Sequence, residues 1–198
     1  MPLREAVKSA LRGLALLAVA PSLLSFAVRA MLVGRNRALE SSSQALSLIP
    51  GLAGQYLRRA FLSRVLAHCA PTTAISFGTL FSQAGARIDD NVYIGPRCHL
   101  GLVHLERDVL VGPGVHIPSG ARTHGTGEPG LPIRDQEQAR ARVRVGTGTW
   151  IGSAAVVMAD VGHHAVIGAG AVVTRPMEDR VVAGGVPARV IKRRSEND

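Results

Sequence analysis

The chain has 198 residues, 46% of them apolar, enough for one core and an appendage. Its two cysteines, Cys69 and Cys98, make neither a metal-ligand spacing nor a disulfide framework and fit a reducing compartment. The formal charge of +9 is concentrated at the front: nine basic side chains in residues 1–64 face only Glu5 and Glu40 and leave +7 there. With aromatic residues at 4% and the charge surrounding an apolar segment, nucleic acid is a poor partner and a membrane surface a better one.

Residues 13–28 carry no charge, and Arg4, Lys8 and Arg12 precede them while Arg29, Arg35 and Arg37 follow. Those sixteen residues would span about 24 Å as helix, short of the roughly 30 Å hydrocarbon core of a bilayer. Pro21 sits mid-segment, where a helix bends. Positive charge on both flanks places both ends in the cytoplasm, so the segment reads as a re-entrant or interfacial hairpin on the cytoplasmic face of a bacterial plasma membrane. Two other readings are open. A signal peptide cleaved after Ala20 would leave Pro21 in the first mature position, which is unfavourable, and a helix packed on protein would need no lipid. After Pro50 a second helix is expected, with Leu57, Phe61, Leu62, Val65 and Leu66 turned to the body and Arg58, Arg59 and Arg64 turned to anionic lipid. Residues 1–71 thus form a helical, membrane-associated region. No candidate catalytic group lies in residues 1–34, so their removal should release the protein without abolishing activity.

From residue 72 the sequence acquires a beat of six: an aliphatic residue, usually followed by glycine, at Ile88, Ile94 and Leu100, at Leu105, Val111 and Ile117, at Val145, Ile151 and Val157, and at Ile167 and Val173. Neither a helix nor a lone alternating strand has that period; three short strands joined by two tight corners, stacked coil on coil, do. Gly95, Gly112, Gly146, Gly152 and Gly168 suit corners where the backbone is crowded or φ is positive. The beat shortens between Leu100 and Leu105 and between Val157 and Ile167, tightening the corners near His104 and near His163 and His164. Residues 118–144 interrupt it altogether. They are too polar and too rich in Gly and Pro to stack inside a prism and read as a functional loop.

The repeats IGPRCH, VGPGVH, VGTGTW, IGSAAV and IGAGAV resemble those of the hexapeptide-repeat acyltransferases, over roughly residues 72–194. The resemblance implies a mainly β chain: a left-handed parallel β-helix, an exception to the right-handed crossover rule, behind N-terminal α-helices. The run THG, ahead of the loop and of WIG, is similar to that of the sugar O-acetyltransferases and the streptogramin or chloramphenicol acetyltransferases. In those families the histidine at this place is the general base, which here is His124. A neutral imidazole suits removal of a hydroxyl proton near neutral pH. Asp108, Glu128 and Asp135 are conceivable orienting partners. The same likeness puts Trp150 and Ser153 at the thioester end of an acetyl-CoA groove, Ala169 beside the pantetheine arm with Thr174 and Arg175 farther along, and Arg189 and Lys192 at the nucleotide phosphates. It implies a homotrimer with acyl-CoA sites between neighbouring prisms.

His99 and His104 are expected at the coil edge, lining the acceptor pocket, with His116 on another coil face by register. Zinc is not expected, because His68 precedes the repeats and no third ligand is in evidence. The leading function is therefore an acetyl-CoA-dependent O-acetyltransferase acting on a sugar or lipid-linked glycan hydroxyl by direct attack, with no metal. The competing reading is a non-catalytic trimeric scaffold for glycan assembly at the membrane.

Overall fold

The computed structural model describes residues 2–195, with side chains from residue 6 onward; residue 1 of the expected 1–71 region and the side chain of Arg4 lie outside the described residues. Three helices open the chain: α1 (Pro2–Val33), α2 (Arg35–Ser47) and α3 (Gly51–Val65). Good helix formers fill α1, and it runs unbroken through Pro21 to the positive-φ residue Gly34, where it stops. The segment therefore does not fold back on itself within residues 13–28, as the hairpin reading expected. The reversal comes at Gly34, and α2 returns along α1.

The stripe Ala15, Val19, Phe26, with Leu16, Leu23 and Ala30 beside it, packs on α2 and α3, and Phe26 meets Phe61 edge-on at 5.8 Å. Its three-to-four-residue spacing is that of one helix face. Removing residues 1–34 would uncover Phe61, so the segment is more than a detachable tether.

Helix α3 closes one end of the β domain, as its apolar face required, with Phe61, Leu62 and Val65 in the core. Its arginines do not all face outward. Arg58 is 2% exposed because the helical period puts it on the face shared by Gly54, Phe61 and Leu62. Its guanidinium donates to the carbonyls of Ile75 (3.1 Å), Leu46 (3.1 Å) and Ile49 (2.7 Å). Arg59 lies over the Tyr56 ring and donates to the Thr73 carbonyl. Arg29 and Arg35, expected to flank a membrane segment, are likewise spent on protein: Arg29 on the Ser41 and Ser42 hydroxyls, Arg35 on the Val65 carbonyl at 2.9 Å.

The six-residue beat folds into coils of a parallel β-helix. The first has β1 (His68–Cys69), β2 (Ala74–Ile75) and β3 (Leu80–Phe81), and the second β4 (Arg87–Ile88), β5 (Tyr93–Ile94) and β6 (His99–Leu100). The third has β7 (Val103–Leu105), β8 (Leu110–Val111) and β9 (His116–Ile117), and the long loop leaves from its end. After it come β10 (Val143–Val145), β11 (Trp150–Ile151) and β12 (Val156–Val157), then β13 (Val166–Ile167) and β14 (Val172–Val173). The last turn holds β15 (Val181–Gly184) and β16 (Arg189–Arg193), which pairs antiparallel with it. Strands stack into three sheets, ordered β1-β4-β7-β10, β16-β15-β13-β11-β8-β5-β2 and β14-β12-β9-β6-β3. In the shortened fifth coil the first sheet is reduced to single bridges from Val161 to Val145 and Met177.

All eleven aliphatic beat positions are fully buried, each contributing roughly 1.5–3 kcal/mol by leaving water. The glycines that follow them answer to crowding: a Cβ on Gly112 would lie 2.7 Å from the Ser153 nitrogen, and one on Gly152 2.5 Å from that of Ala169. Positive φ falls two residues later instead, at Arg97, Gly114, Gly148, Ala154, His164 and Gly170, and at the same place after Asp89 and Glu106, at Asn91 and Asp108.

Candidate active site

The outer face of the third sheet, the end of the loop and helix α2 together enclose a cleft of about 720 Å³. His99 on β6 and His116 on β9 are register partners, so their outward side chains stack, rings 6.0 Å apart and 75° to each other. His116 thus shares the face of His99 rather than lying on another. Burial holds the His99 imidazole below its usual pKa and the neighbouring His116 adds to this, while Glu40 opposes it. A neutral His99 offers one donor and one acceptor to a polar ligand.

His124 lines the same cleft from the loop, just beyond the point where the chain leaves the third sheet. The loop beside it is tied into a closed turn. Gly125 N donates to Glu137 O at 2.8 Å, and the buried Gln136 amide donates to the carbonyls of Glu128 (2.9 Å) and Leu131 (3.0 Å). Ala141 N, donating to Ser119 O at 2.9 Å, closes the excursion's base. Nothing in the residue pattern singled out Gln136; a lone glutamine in a polar loop carries no period.

The carboxylates proposed to orient His124 are engaged elsewhere or absent from the cleft. Asp108 accepts from Asn91 Nδ2 at 2.7 Å, Asp135 faces Arg134 Nε at 3.6 Å, and the Glu128 backbone is held by Gln136. The acid in the cleft is Glu40, which arrives with Asn36 and Arg37 from α2, opposite Arg140 of the loop. Its sequence distance from the repeats hid it. His104 is not in the cleft either: it belongs to the first sheet, where its Nε2 lies 3.0 Å from Asp89 Oδ2, with His68 3.8 Å from the other oxygen. Among the described residues no three His, Cys, Asp or Glu side chains converge in a metal-holding group.

The donor candidates occupy other parts of the prism. Ser153 and Ala169 stack at the corner between the second and third sheets, where Gly170 N donates to Ser153 O at 2.8 Å. Trp150, 53% exposed, stands on the second sheet between Leu110 and Val166. Lys192 lies on the edge strand of that sheet, paired with Val182, and Arg189 pairs with Gly184. Thr174 and Arg175 follow β14 and are exposed. Within one chain, then, the geometry joins Ser153 to Ala169 and puts Trp150 and Lys192 on one sheet, but none of these residues lines the His124 cleft.

Residues 142–175 match the family model described as the hexapeptide repeat of succinyl-transferase. The galactoside O-acetyltransferase of Escherichia coli K12 is 27% identical over 169 residues, 75% of this chain and 83% of that protein. A chloramphenicol acetyltransferase of Agrobacterium fabrum is 44% identical over 55 residues, 27% of this chain and 26% of its own length. Among solved structures, a maltose O-acetyltransferase from Clostridium difficile superposes with a TM-score of 0.68 at 19% identity, covering 81% of this chain and 89% of that one. A galactoside acetyltransferase in complex with coenzyme A gives 0.69 at 22% identity, covering 82% of each. The beat, the three-sheeted prism and these likenesses agree: the chain folds as a hexapeptide-repeat β-helix and is similar to acetyltransferases built on that repeat.

Proposed function

We propose that the protein transfers an acetyl group from acetyl-CoA to a sugar hydroxyl of a glycan precursor, at the cytoplasmic face of a membrane, with His124 as general base. The observation that carries this reading is the cleft in which His124 shares walls with the stacked pair His99 and His116. A solvated loop histidine, or a docking scaffold, would have no use for a pocket lined by imidazoles, a carboxylate and two guanidinium groups. The similar sugar acetyltransferases, one of them solved with coenzyme A, support the choice of donor and acceptor class.

In the proposed reaction His124 takes the proton of the acceptor hydroxyl as its oxygen attacks the thioester carbonyl. The tetrahedral oxyanion is stabilised by backbone N–H groups and the Ser153 hydroxyl. Collapse breaks the carbon–sulfur bond, and the proton held on His124 goes to the departing CoA sulfur. Trp150 flanks the thioester, Ala169, Thr174 and Arg175 line the pantetheine arm, and Arg189 and Lys192 meet the phosphates.

His124 and Trp150 lie on different faces of one prism, so a site using both is best completed by a neighbouring copy; this favours a homotrimer with the site between subunits. Residues 1–71 form the membrane-associated part and 72–194 the transferase, with the 118–144 excursion supplying the base. The test is acetyl transfer from labelled acetyl-CoA to a panel of glycosides. His124→Ala should lower turnover by roughly 10²–10⁴ with acetyl-CoA affinity nearly unchanged, and full turnover in that variant would dismiss the assigned base.

A further inference from the structure

Helix α1 has two apolar faces and protein covers only one. The stripe through Ala15, Val19 and Phe26 is buried on α2 and α3. On the other side Leu14, Leu17, Leu24, Met31 and Leu32 are 62–80% exposed, with Val28 beside them. No charged residue interrupts that outer face from residue 13 to 28. A contiguous apolar row of this length on a water-facing helix marks an interaction surface.

We propose that α1 is a monotopic anchor that lies in the plane of an anionic lipid bilayer, embedding its outer row from Leu14 to Leu32, and does not span it. This rests on the membrane reading of residues 1–34 given above and adds its geometry. The helix is long and apolar enough to cross a bilayer. Yet its inner face is held to α2 and α3 over most of its length, from Ala15 to Ala30. A crossing would draw Arg37, Glu40, Arg58, Arg59 and Arg64 of those two helices into hydrocarbon, where charged groups are expensive. Lying flat, α1 buries only its outer row, with the basic residues Lys8 and Arg12 ahead of that row in sequence and the exposed Arg64 of α3 left outside the hydrocarbon, where anionic headgroups favour positive charge.

The same geometry assigns the acceptor a direction of approach. Helix α2 packs on α1 and supplies Asn36, Arg37 and Glu40 to the His124 cleft. One helix, about 10 Å across, therefore separates the cleft from the headgroups. A glycan carried on a lipid reaches His124 from headgroup depth without leaving the membrane.

The test uses the full-length protein and preformed sealed vesicles of phosphatidylglycerol and phosphatidylethanolamine. Partition into vesicles should fall at least tenfold in a Leu17→Glu, Leu24→Glu double variant, while its mass by light scattering and its acetyl transfer to a soluble glycoside stay as in the parent. Cysteines placed at the exposed Ala6 and Ala67 should both react with an impermeant maleimide outside the vesicles. The natural thiols give no background, because Cys69 and Cys98 are buried and burial pushes Cys69 up to about 12. Protection of Ala6→Cys alone would show a crossing and overturn the in-plane geometry while keeping the membrane reading. Equal binding by the double variant would overturn the assigned face. Failure of the parent to bind any vesicle would remove both readings, and a doubled mass in solution with Leu24→Cys cross-linked to its own copy would give the row to a second protein.

Discussion

Arg58 carries a guanidinium into the seam between the helices and the first coil with three carbonyls and no carboxylate as partners. Two of those carbonyls, Leu46 and Ile49, lie around the C-terminal end of α2, where the peptide dipoles present negative charge. Burial holds its pKa below the usual arginine value, and the carbonyls hold the charge in place. Arg58→Ala would strand those oxygens and should cost about 2–4 kcal/mol, read as a lower urea midpoint with unchanged slope. His99 titrates in the opposite sense to a salt-bridged histidine. Its folded pKa is depressed, so the unfolded chain binds more protons, and its contribution to stability is present above about pH 6.5 and lost as pH falls below it. His99→Gln should therefore flatten the thermal-midpoint profile on the acid side of about pH 6.5. Both residues show where sequence reading stops. Arg58 looked like one of three surface arginines until the helix phase was fixed, and His99 was legible as a coil-edge histidine while its partner His116 was not, because the shortened Leu100–Leu105 step hid the register.

At the scale of elements, the β-helix was nearly complete in the residues, because the eleven aliphatic positions keep one period except at two shortened steps and the long loop, and all eleven are buried. The corners were read only in part. Glycine after the aliphatic residue is needed for backbone proximity, whereas the left-handed residue two places on accepts Asn, Arg, Asp, Ala and His as well. Gly152→Ala should therefore be harsh. Its methyl would meet the Ala169 nitrogen at 2.5 Å, between the two residues proposed to flank the acyl-CoA arm, and we expect a loss of about 1–3 kcal/mol together with weaker acetyl-CoA binding by calorimetry. Ala154→Gly relieves a φ of 57° and should be neutral or stabilising in the same assay. The helices were harder to read. The uncharged run of residues 13–28 says that α1 is buried in something, but not that half its girth is protein and half is not. The wall that α2 gives to the cleft had no sequence signal, since Asn36, Arg37 and Glu40 meet the histidines only after the chain has turned at Gly34 and the coils have formed.

For the molecule as a whole, the second sheet presents a register-aligned row of Tyr93, Leu110 and Trp150, each 41–53% exposed, which fits burial against a neighbouring prism. Leu110→Glu should give a monomer by light scattering, with unchanged far-ultraviolet circular dichroism and no acetyl transfer, if the site is shared between copies. His124 stands out in the residues because it borders the one long break in the beat, and the proposed donor residues because they follow WIG in order; in the proposed shared site the two sets meet only through a second chain, which no residue pattern of one chain displays. The way the β-helix ends has a consequence of its own. A stack of parallel coils offers at each terminus a row of unpaired backbone groups that could template another molecule without limit. Helix α3 stoppers the first coil with Phe61, Leu62 and Val65, and the other end turns back on itself in β16, an antiparallel edge strand exposed along its length and carrying Arg189, Lys192 and Arg193. Solubility is thus written into the two ends, and a chain cut short of β16 should grow into thioflavin-positive fibrils rather than stay in solution.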